Sequence, residues 1–425
     1  MPPRLIESLA ATERLSDIFS DRSVLQSMLD FESGLARAEA RVGLVPAEAA
    51  AAITEASVAD RFDASELARL ALRSGTPAIP LVGMLTSIIR ARNPAAAGFV
   101  HWGATSQDVT DSALILLLAQ CRRVFEQDHN RVVTALRRLA RDHANSLMLG
   151  RTLLQPAPPV TFGLKAAGWL GAIERGWSRV ASRFDESSYL QFGGASGTLA
   201  ALGDRGMAVA EACALELKLK CPDAPWHAHR DRLAALMAAL SIYTASLAKM
   251  ALDIVLLMQH EVAEVSEPGG NDRGGSSTMP HKRNPTACTL TIAAAKRTPG
   301  LLSNFLSGML QEHERAAGGW QSEWSTIEAI IQSVGVALES MVGVAEGLTV
   351  NASRMRSNIE ATRGAVFAEK AMMLLAPQMG RDAAYRTVEE SIRQTAAPPD
   401  LPGLSIPEDY LGCADIFRRR LLGEE

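Results

Sequence analysis

Aromatic residues are scarce, at 5% of the 425 positions, whereas hydrophobic residues of all kinds reach 47%. An interior built on rings is therefore excluded, and Ala, Leu, Val, Ile and Met must fill it, as they do between packed helices. Cysteine is sparse too. Cys121, Cys213, Cys221, Cys288 and Cys413 show no paired metal spacing, and an odd count fits poorly with a disulfide framework, so a reducing cytoplasm is the expected home. Long apolar runs are also missing. The opening residues, MPPRLIESLAATERL, hold no continuous signal core, and the stretches 113–119 and 233–240 are too short to cross a bilayer, so neither processing nor a membrane partner is expected. Neither sign of charge dominates: 43 Lys and Arg stand against 47 Asp and Glu, for a formal charge of -4. No long basic block stands out, which argues against nucleic acid as a partner. Internal repeats and low-complexity tracts are absent as well.

What the chain has is length and helical periodicity. With 425 residues it exceeds what one hydrophobic core organises, so two or three domains are expected. Over 21–42 the residues Val24, Leu25, Met28, Leu29, Leu35 and Val42 recur at helical spacing, with Ser20 or Asp21 as cap and Gly43 as stop. Shorter helices are predicted at 47–57, 64–73 and 81–92, separated by Gly75, Pro77, Pro80 and Pro94. Longer ones are predicted at 111–145, 160–187, 229–264, 286–309 and 325–346. These lengths predict an all-α chain with an elongated bundle in its middle. The expected division is an N-terminal helical domain 1–110, a central long-helix bundle 111–350 and a small C-terminal helical domain 351–425, where Pro398, Pro399, Pro402 and Pro407 break the pattern.

Residues 273–285 read RGGSSTMPHKRNP, a composition that no helix or strand would choose for packing. Gly274 and Gly275 let backbone amides approach a ligand, Ser276 and Ser277 offer hydroxyls, and Lys282 with Arg283 supplies positive charge where carboxylates dock. Because the whole chain carries little net charge, attraction for a polyanion must arise in such a local cluster. A Gly-Ser loop alone is commonly a solvated turn; GSS, MP, KRN and P standing in register lift this one above that reading. The stretch EPGGNDRGG at 267–275 reads as a hinged lid.

The same string closely resembles the signature loop of the fumarase/aspartase superfamily. HWGATSQDVTDSA at 101–113 and GRTLLQPAPPVTFGLK at 150–165 are similar to the two other site-forming regions of that superfamily. The resemblance covers essentially the whole chain. It implies three all-helical domains, a homotetramer whose central bundles pack together, active sites shared between subunits, and carbanion chemistry beside a carboxylate without metal or cofactor. It further implies that Ser276 handles the proton while Lys282 and Asn284 stabilise an enediolate. Substrate-binding roles are implied for His101, Thr105, Ser106, Arg151, Thr152, Gln155, Ser277, Met279 and Arg315. Several of these have a plainer reading. Thr105 and Ser106 stand before a predicted helix, where N-capping and a carboxylate cradle are compatible. His101 beside Trp102 also reads as a packed residue. Gln311, His313 and Arg315 read as pocket lining or as a solvated helix face. His227 and His229, in WHAHR, have no third ligand nearby and read as surface or pocket-rim residues.

Two departures from the superfamily's lyases occur together. After GRT, where those lyases have His, this chain has Leu153; seven residues beyond Lys282, where they have Glu, it has Thr289. Both halves of an acid/base dyad are thus missing. Water and amines are poor leaving groups that gain roughly 10²-fold to 10⁴-fold from a placed proton relay. A carboxylate needs no such help, since its conjugate acid has a pKa of about 4. The cycloisomerase branch of the superfamily fits, because it closes a carboxylate of 3-carboxy-cis,cis-muconate, a tricarboxylate, onto a double bond to form a lactone. SGTPAIPLV at 74–82, LQFGGASGTLAALG at 190–203 and QEHERAAGGWQSEW at 311–324 are also similar to that branch. The alternatives are a fumarate-releasing lyase and an inactive helical scaffold of the same fold. Leu153 and Thr289 speak against the first, and the intact Ser276, Lys282 and Asn284 against the second.

Overall fold

The computed structural model describes residues 5–269, 274–275, 278–279 and 281–424. Among them fifteen α-helices carry the fold, and sheet is limited to two pairs of strands. The all-α expectation holds. The chain divides into two compact units, each assembled from three segments: Met1–Gln127, Ser178–Tyr243 and Ala294–Val336 in the first, Asp128–Trp177, Thr244–Ala293 and Ala337–Glu425 in the second. Every boundary falls inside one of five long helices, Ser106–Asp142, Phe162–Ser187, Asp231–Leu257, Thr286–Ser307 and Gly319–Gly347. These interleaved units differ from the sequential domains 1–110, 111–350 and 351–425.

The first unit has a core of aliphatic residues, as the composition requires. Leu29, Phe31 and Leu35 on the Asp21–Arg41 helix, Ile53, Leu81 and Leu85 are each at most 1% exposed and belong to one cluster with Val109, Leu190 and Phe192. Each such side chain contributes about 1.5–3 kcal/mol on burial. Ser20 caps the Asp21–Arg41 helix by accepting from Ser23 N, as its sequence predicts.

The helix expected at 111–145 starts earlier, at Ser106, because Asp108 accepts the amide of Thr105 and completes the first turn. The helix expected at 325–346 likewise begins at Gly319. The Asp231–Leu257 and Gly319–Gly347 helices are long and apolar enough to cross a membrane by length and composition, yet 50% and 72% of their most apolar windows are buried within the fold.

In the second unit an antiparallel hairpin, β1 (Leu147–Thr152) and β2 (Gln155–Thr161), precedes the Phe162–Ser187 helix. The sequence reading missed it, for two reasons. Leu147, Met148 and Leu149 are buried in succession, so no alternation announces a strand, and Pro156, Pro158 and Pro159 remove amides from β2. Leu147 and Leu149 join a second core with Ile359, Val366, Phe367, Ala371, Leu375, Ala384, Val388 and Leu404. The C-terminal helices therefore form the bed on which the hairpin rests, and they fix where its tip points.

Candidate active site

Within the first unit, the segment 101–111 is organised by its acids. Asp108 is fully buried and accepts four hydrogen bonds: from Thr105 N at 3.0 Å, Gly193 N at 3.0 Å, Gly194 N at 2.9 Å and His227 Nε2 at 2.7 Å. This carboxylate draws three separate loops together. Gly194 has φ +69°, and a Cβ there would stand 2.7 Å from Gly103 O, so no other residue fits. His227 is buried rather than at a surface or rim, and its ring is committed to Asp108; His229 is exposed.

One turn further along, Asp111 meets Arg230, whose guanidinium also reaches Glu323. Nη1 and Nη2 bond Asp111 at 2.7 and 3.0 Å, and Nη2 and Nε bond Glu323 at 2.7 and 3.0 Å. The three side chains are at most 1% exposed. Burial opposes the charge on Arg230, and the two carboxylates more than restore it; burial also pushes the Glu323 carboxyl up, against the pull of Arg230. Gln107 Nε2 donates to Asp111 at 3.1 Å and to His227 O at 3.0 Å, which fixes its amide so that Oε1 faces Arg315.

Arg315 lies in the connection between Ser307 and Gly319, not on a helix face. It donates to Gln107 Oε1 at 3.2 Å, Thr105 Oγ1 at 3.1 Å, and Gly194 O and Ala195 O at 3.3 Å each. All four acceptors are neutral. The guanidinium is thus held in place while, among the described residues, no carboxylate pairs with it, an arrangement suited to an incoming carboxylate. The Thr105 backbone starts the helix and its hydroxyl faces Arg315; Ser106 is the first helical residue and is half-buried. His101, at φ +58°, places Nδ1 2.6 Å from Oε1 of the buried Glu32. Burial disfavours its imidazolium, but the charge and hydrogen bond of Glu32, with Asp108 beyond, prevail and raise its pKa above 6.5. His313 and Gln311 part company: His313 is exposed, while Gln311 donates to Gly308 O at 2.6 Å.

Within the second unit, Arg151 on β1 is committed to Glu264, donating at 2.7 and 2.9 Å to a carboxylate with no exposure. Asn358 completes that site at 2.8 Å. Thr152 and Gln155, both exposed, form the last pair of the hairpin. Between them the turn residues Leu153 and Leu154 have φ +50° and +65° and are 96% and 74% exposed. A two-residue turn with both φ positive suits Asn-Gly, and leucines there cost about 1–2 kcal/mol each.

Of the signature loop, Ser276 and Ser277 lie outside the described residues, as do Arg273 and Pro280 and much of the 267–275 stretch. Lys282 is exposed, with its amide on Met279 O at 3.0 Å, and Met279 is 43% exposed. Asn284 N donates to Gly274 O at 2.8 Å and Nδ2 to Gly275 O at 3.2 Å. At Gly274, φ is +73° and a Cβ would come within 2.7 Å of Asn284 O, so glycine is required for this crossing. Glu267 accepts Ala287 N at 3.1 Å and Cys288 N at 2.8 Å, satisfying the start of the Thr286–Ser307 helix. Thr289 is exposed and returns its hydroxyl to Pro285 O at 2.7 Å.

Sequence reasoning missed Glu32, Gln107, Asp108, Asp111, Arg230 and Glu323. The available signal was two aspartates three residues apart, interleaved with Val109 and Ala113 on what is now an apolar helix face. An acid in such a place demands a partner.

Residues 7–300 match the model of the lyase family. The chain is 48% identical to the 3-carboxy-cis,cis-muconate cycloisomerase of Pseudomonas aeruginosa, over 96% of this chain and 93% of the relative. It is 45% identical to that of Bradyrhizobium diazoefficiens, over 92% and 87%. The crystal structure of the 3-carboxy-cis,cis-muconate lactonizing enzyme from Pseudomonas putida superimposes with a TM-score of 0.92 at 43% identity, covering 99% of this chain and 98% of the other.

Proposed function

This chain belongs to the lyase family, and from that membership we propose that it is a cycloisomerase that closes 3-carboxy-cis,cis-muconate to a carboxymuconolactone. The observation that carries the proposal is the paired loss of a leaving-group acid. Leu153 stands on an exposed turn where the superfamily's lyases use His, and the Thr289 hydroxyl is spent on its own helix. Neither side chain relays a proton to a departing amine or water. A carboxylate that attacks or departs needs none.

In the forward direction a substrate carboxylate oxygen forms a C–O bond to one alkene carbon. The π electrons move to the neighbouring carbon and into its own carboxylate as an enediolate. Lys282 and Asn284, with amides of the signature loop, stabilise that charge. Ser276 gives a proton to the carbon, completing the new C–H bond, and recovers one from solvent. Its alkoxide is tolerable only beside positive charge and backbone donors, which the loop composition supplies. Arg315, neutralised by none of its four acceptors, takes a substrate carboxylate, with Thr105 and the imidazolium-favouring His101 in the same segment. The protein works in the cytoplasm as a homotetramer with shared sites; its five cysteines are free thiols.

The decisive assay follows the ultraviolet absorbance of 3-carboxy-cis,cis-muconate, which falls as lactonisation shortens the diene. Ser276→Ala binds substrate and does not turn it over; near-normal turnover removes Ser276 from the mechanism. Fumarate release from adenylosuccinate or argininosuccinate instead would move the protein to the lyases, and silence in every assay to the scaffolds.

A further inference from the structure

Three cations and two carboxylates share one neighbourhood of the second unit: Lys165, Lys249 and Arg151 with Asp253 and Glu264. The carboxylates are already taken. Asp253 accepts Lys249 Nζ on Oδ1 and Trp169 Nε1 on Oδ2 at 2.8 Å. Glu264 accepts Arg151 on both oxygens, at 2.7 and 2.9 Å, and Asn358 on Oε1 at 2.8 Å. Asp253 thus takes two hydrogen bonds and Glu264 three, and none of the five comes from Lys165. Lys165 is left over, half-buried and, among the described residues, without a hydrogen bond or ion pair.

Its position compounds the cost. Lys165 is the fourth residue of the Phe162–Ser187 helix, whose N-terminal end disfavours a cation and welcomes an anion. The amides of the preceding residues are spoken for, Phe162 N on Ser146 O, Gly163 N on His143 O and Leu164 N on Thr161 Oγ1, so an anion arriving here would meet the ammonium rather than a free backbone cradle. Trp169, one turn along on the same face, anchors that face to Asp253. Burial holds the Lys165 pKa below 10.5; Lys249 and Arg151 lower it further, against the opposing pull of Asp253 and Glu264. A half-buried cation with no ion pair of its own, felt by Asp253 and Glu264 only at a distance, keeps its charge open to an incoming anion.

We propose that Lys165 is a carboxylate-binding residue of this enzyme, the unpaired cation of the hairpin cluster, which takes one carboxylate of the substrate. Its charge logic is independent of the reaction, whereas the identity of the ligand rests on the cycloisomerase proposal.

The test joins kinetics to chemical labelling of the full-length protein. With 3-carboxy-cis,cis-muconate, Lys165→Met raises KM about 10- to 100-fold with a smaller change in kcat, and Lys165→Arg, which keeps the charge, recovers most of the loss. Wild-type KM climbs with pH as Lys165 loses its proton, starting below the range of an ordinary lysine, while Lys165→Arg flattens that climb. In unmodified wild-type protein, acetic anhydride modifies Lys165 ahead of Lys249, and tricarballylate protects it, as read by peptide mass spectrometry. An unchanged KM in a folded Lys165→Met variant overturns the proposal, as does labelling indifferent to tricarballylate. If Lys165→Met fails to fold, Lys165→Arg and the labelling decide. If wild-type protein leaves 3-carboxy-cis,cis-muconate untouched, the cycloisomerase proposal fails, and protection by tricarballylate still judges Lys165.

Discussion

Arg315 Nη1 donates to Thr105 Oγ1 over 3.1 Å, across 210 residues of sequence. Gln107 Oε1 and two backbone carbonyls are its other partners, and among the described residues no carboxylate joins them. Arg315→Met should therefore lower kcat/KM about 10²-fold or more, chiefly through KM, because a charged hydrogen-bonding group is lost. Arg315→Lys should restore little, since a single ammonium does not span the acceptors that the planar fork spans. Thr105→Val, which removes only one of four acceptors, should cost less. Steady-state kinetics on 3-carboxy-cis,cis-muconate checks the ranking.

His101 owes its raised pKa to Glu32, against the effect of burial. Glu32→Gln should lower the imidazole pKa, because burial is then opposed by Asp108 alone. Histidine ring NMR across pH reads the shift directly. Since the folded-state value lies above the unfolded one, the pair's contribution to stability is complete below pH 6.5 and is lost as pH rises through the raised value. Glu32→Gln should accordingly lose stability mainly on the acid side.

Glu39 is fully buried, both its carboxyl oxygens lack a partner among the described residues, and burial, reinforced by Glu32, pushes its pKa up from 4.5 to about 9. Its contribution is complete below pH 4.5 and is lost as pH climbs to about 9. At pH 7 that amounts to roughly 3 kcal/mol. Glu39→Leu should raise the urea midpoint at pH 8 and flatten stability between pH 5 and 9. A variant less stable than wild type at pH 8 would contradict this.

Arg230 separates two carboxylates that would otherwise be buried without compensation. Arg230→Met alone should cost about 3–5 kcal/mol, whereas the triple replacement Arg230→Met, Asp111→Leu, Glu323→Met should recover most of it. Equilibrium unfolding of both variants measures the difference. Equal losses in the single and the triple variant would mean that shape, not charge, governs this site.

The helices were legible because Leu, Ala and Val repeat at their spacing, as at Leu25, Met28 and Leu29. The hairpin was not, because Leu147 to Leu149 are buried without alternation and prolines interrupt β2. The anion-binding loop and the replacements at Leu153 and Thr289 were visible as letters. The Asp108 and Arg230 networks were not: Asp108 and His227, like Asp111 and Arg230, lie 119 residues apart, and only the folded chain shows that acids in an apolar stripe are satisfied. Arg151 reads as a substrate ligand in sequence, yet Glu264, 113 residues away, holds both its terminal nitrogens.

Each compact unit is stitched from three stretches of chain that alternate along the sequence. A nascent chain leaving the ribosome therefore has no finished first unit until Val336 has emerged, and no finished second unit until the C-terminal helices follow. The aliphatic core around the Asp21–Arg41 helix is complete only at Leu217, and the third stretch of that unit, Ala294–Val336, comes later still. A single protease cut cannot release either unit whole, and a chain stalled near residue 300 should sit on the ribosome with apolar faces bare, as a substrate for chaperones rather than a half-built enzyme.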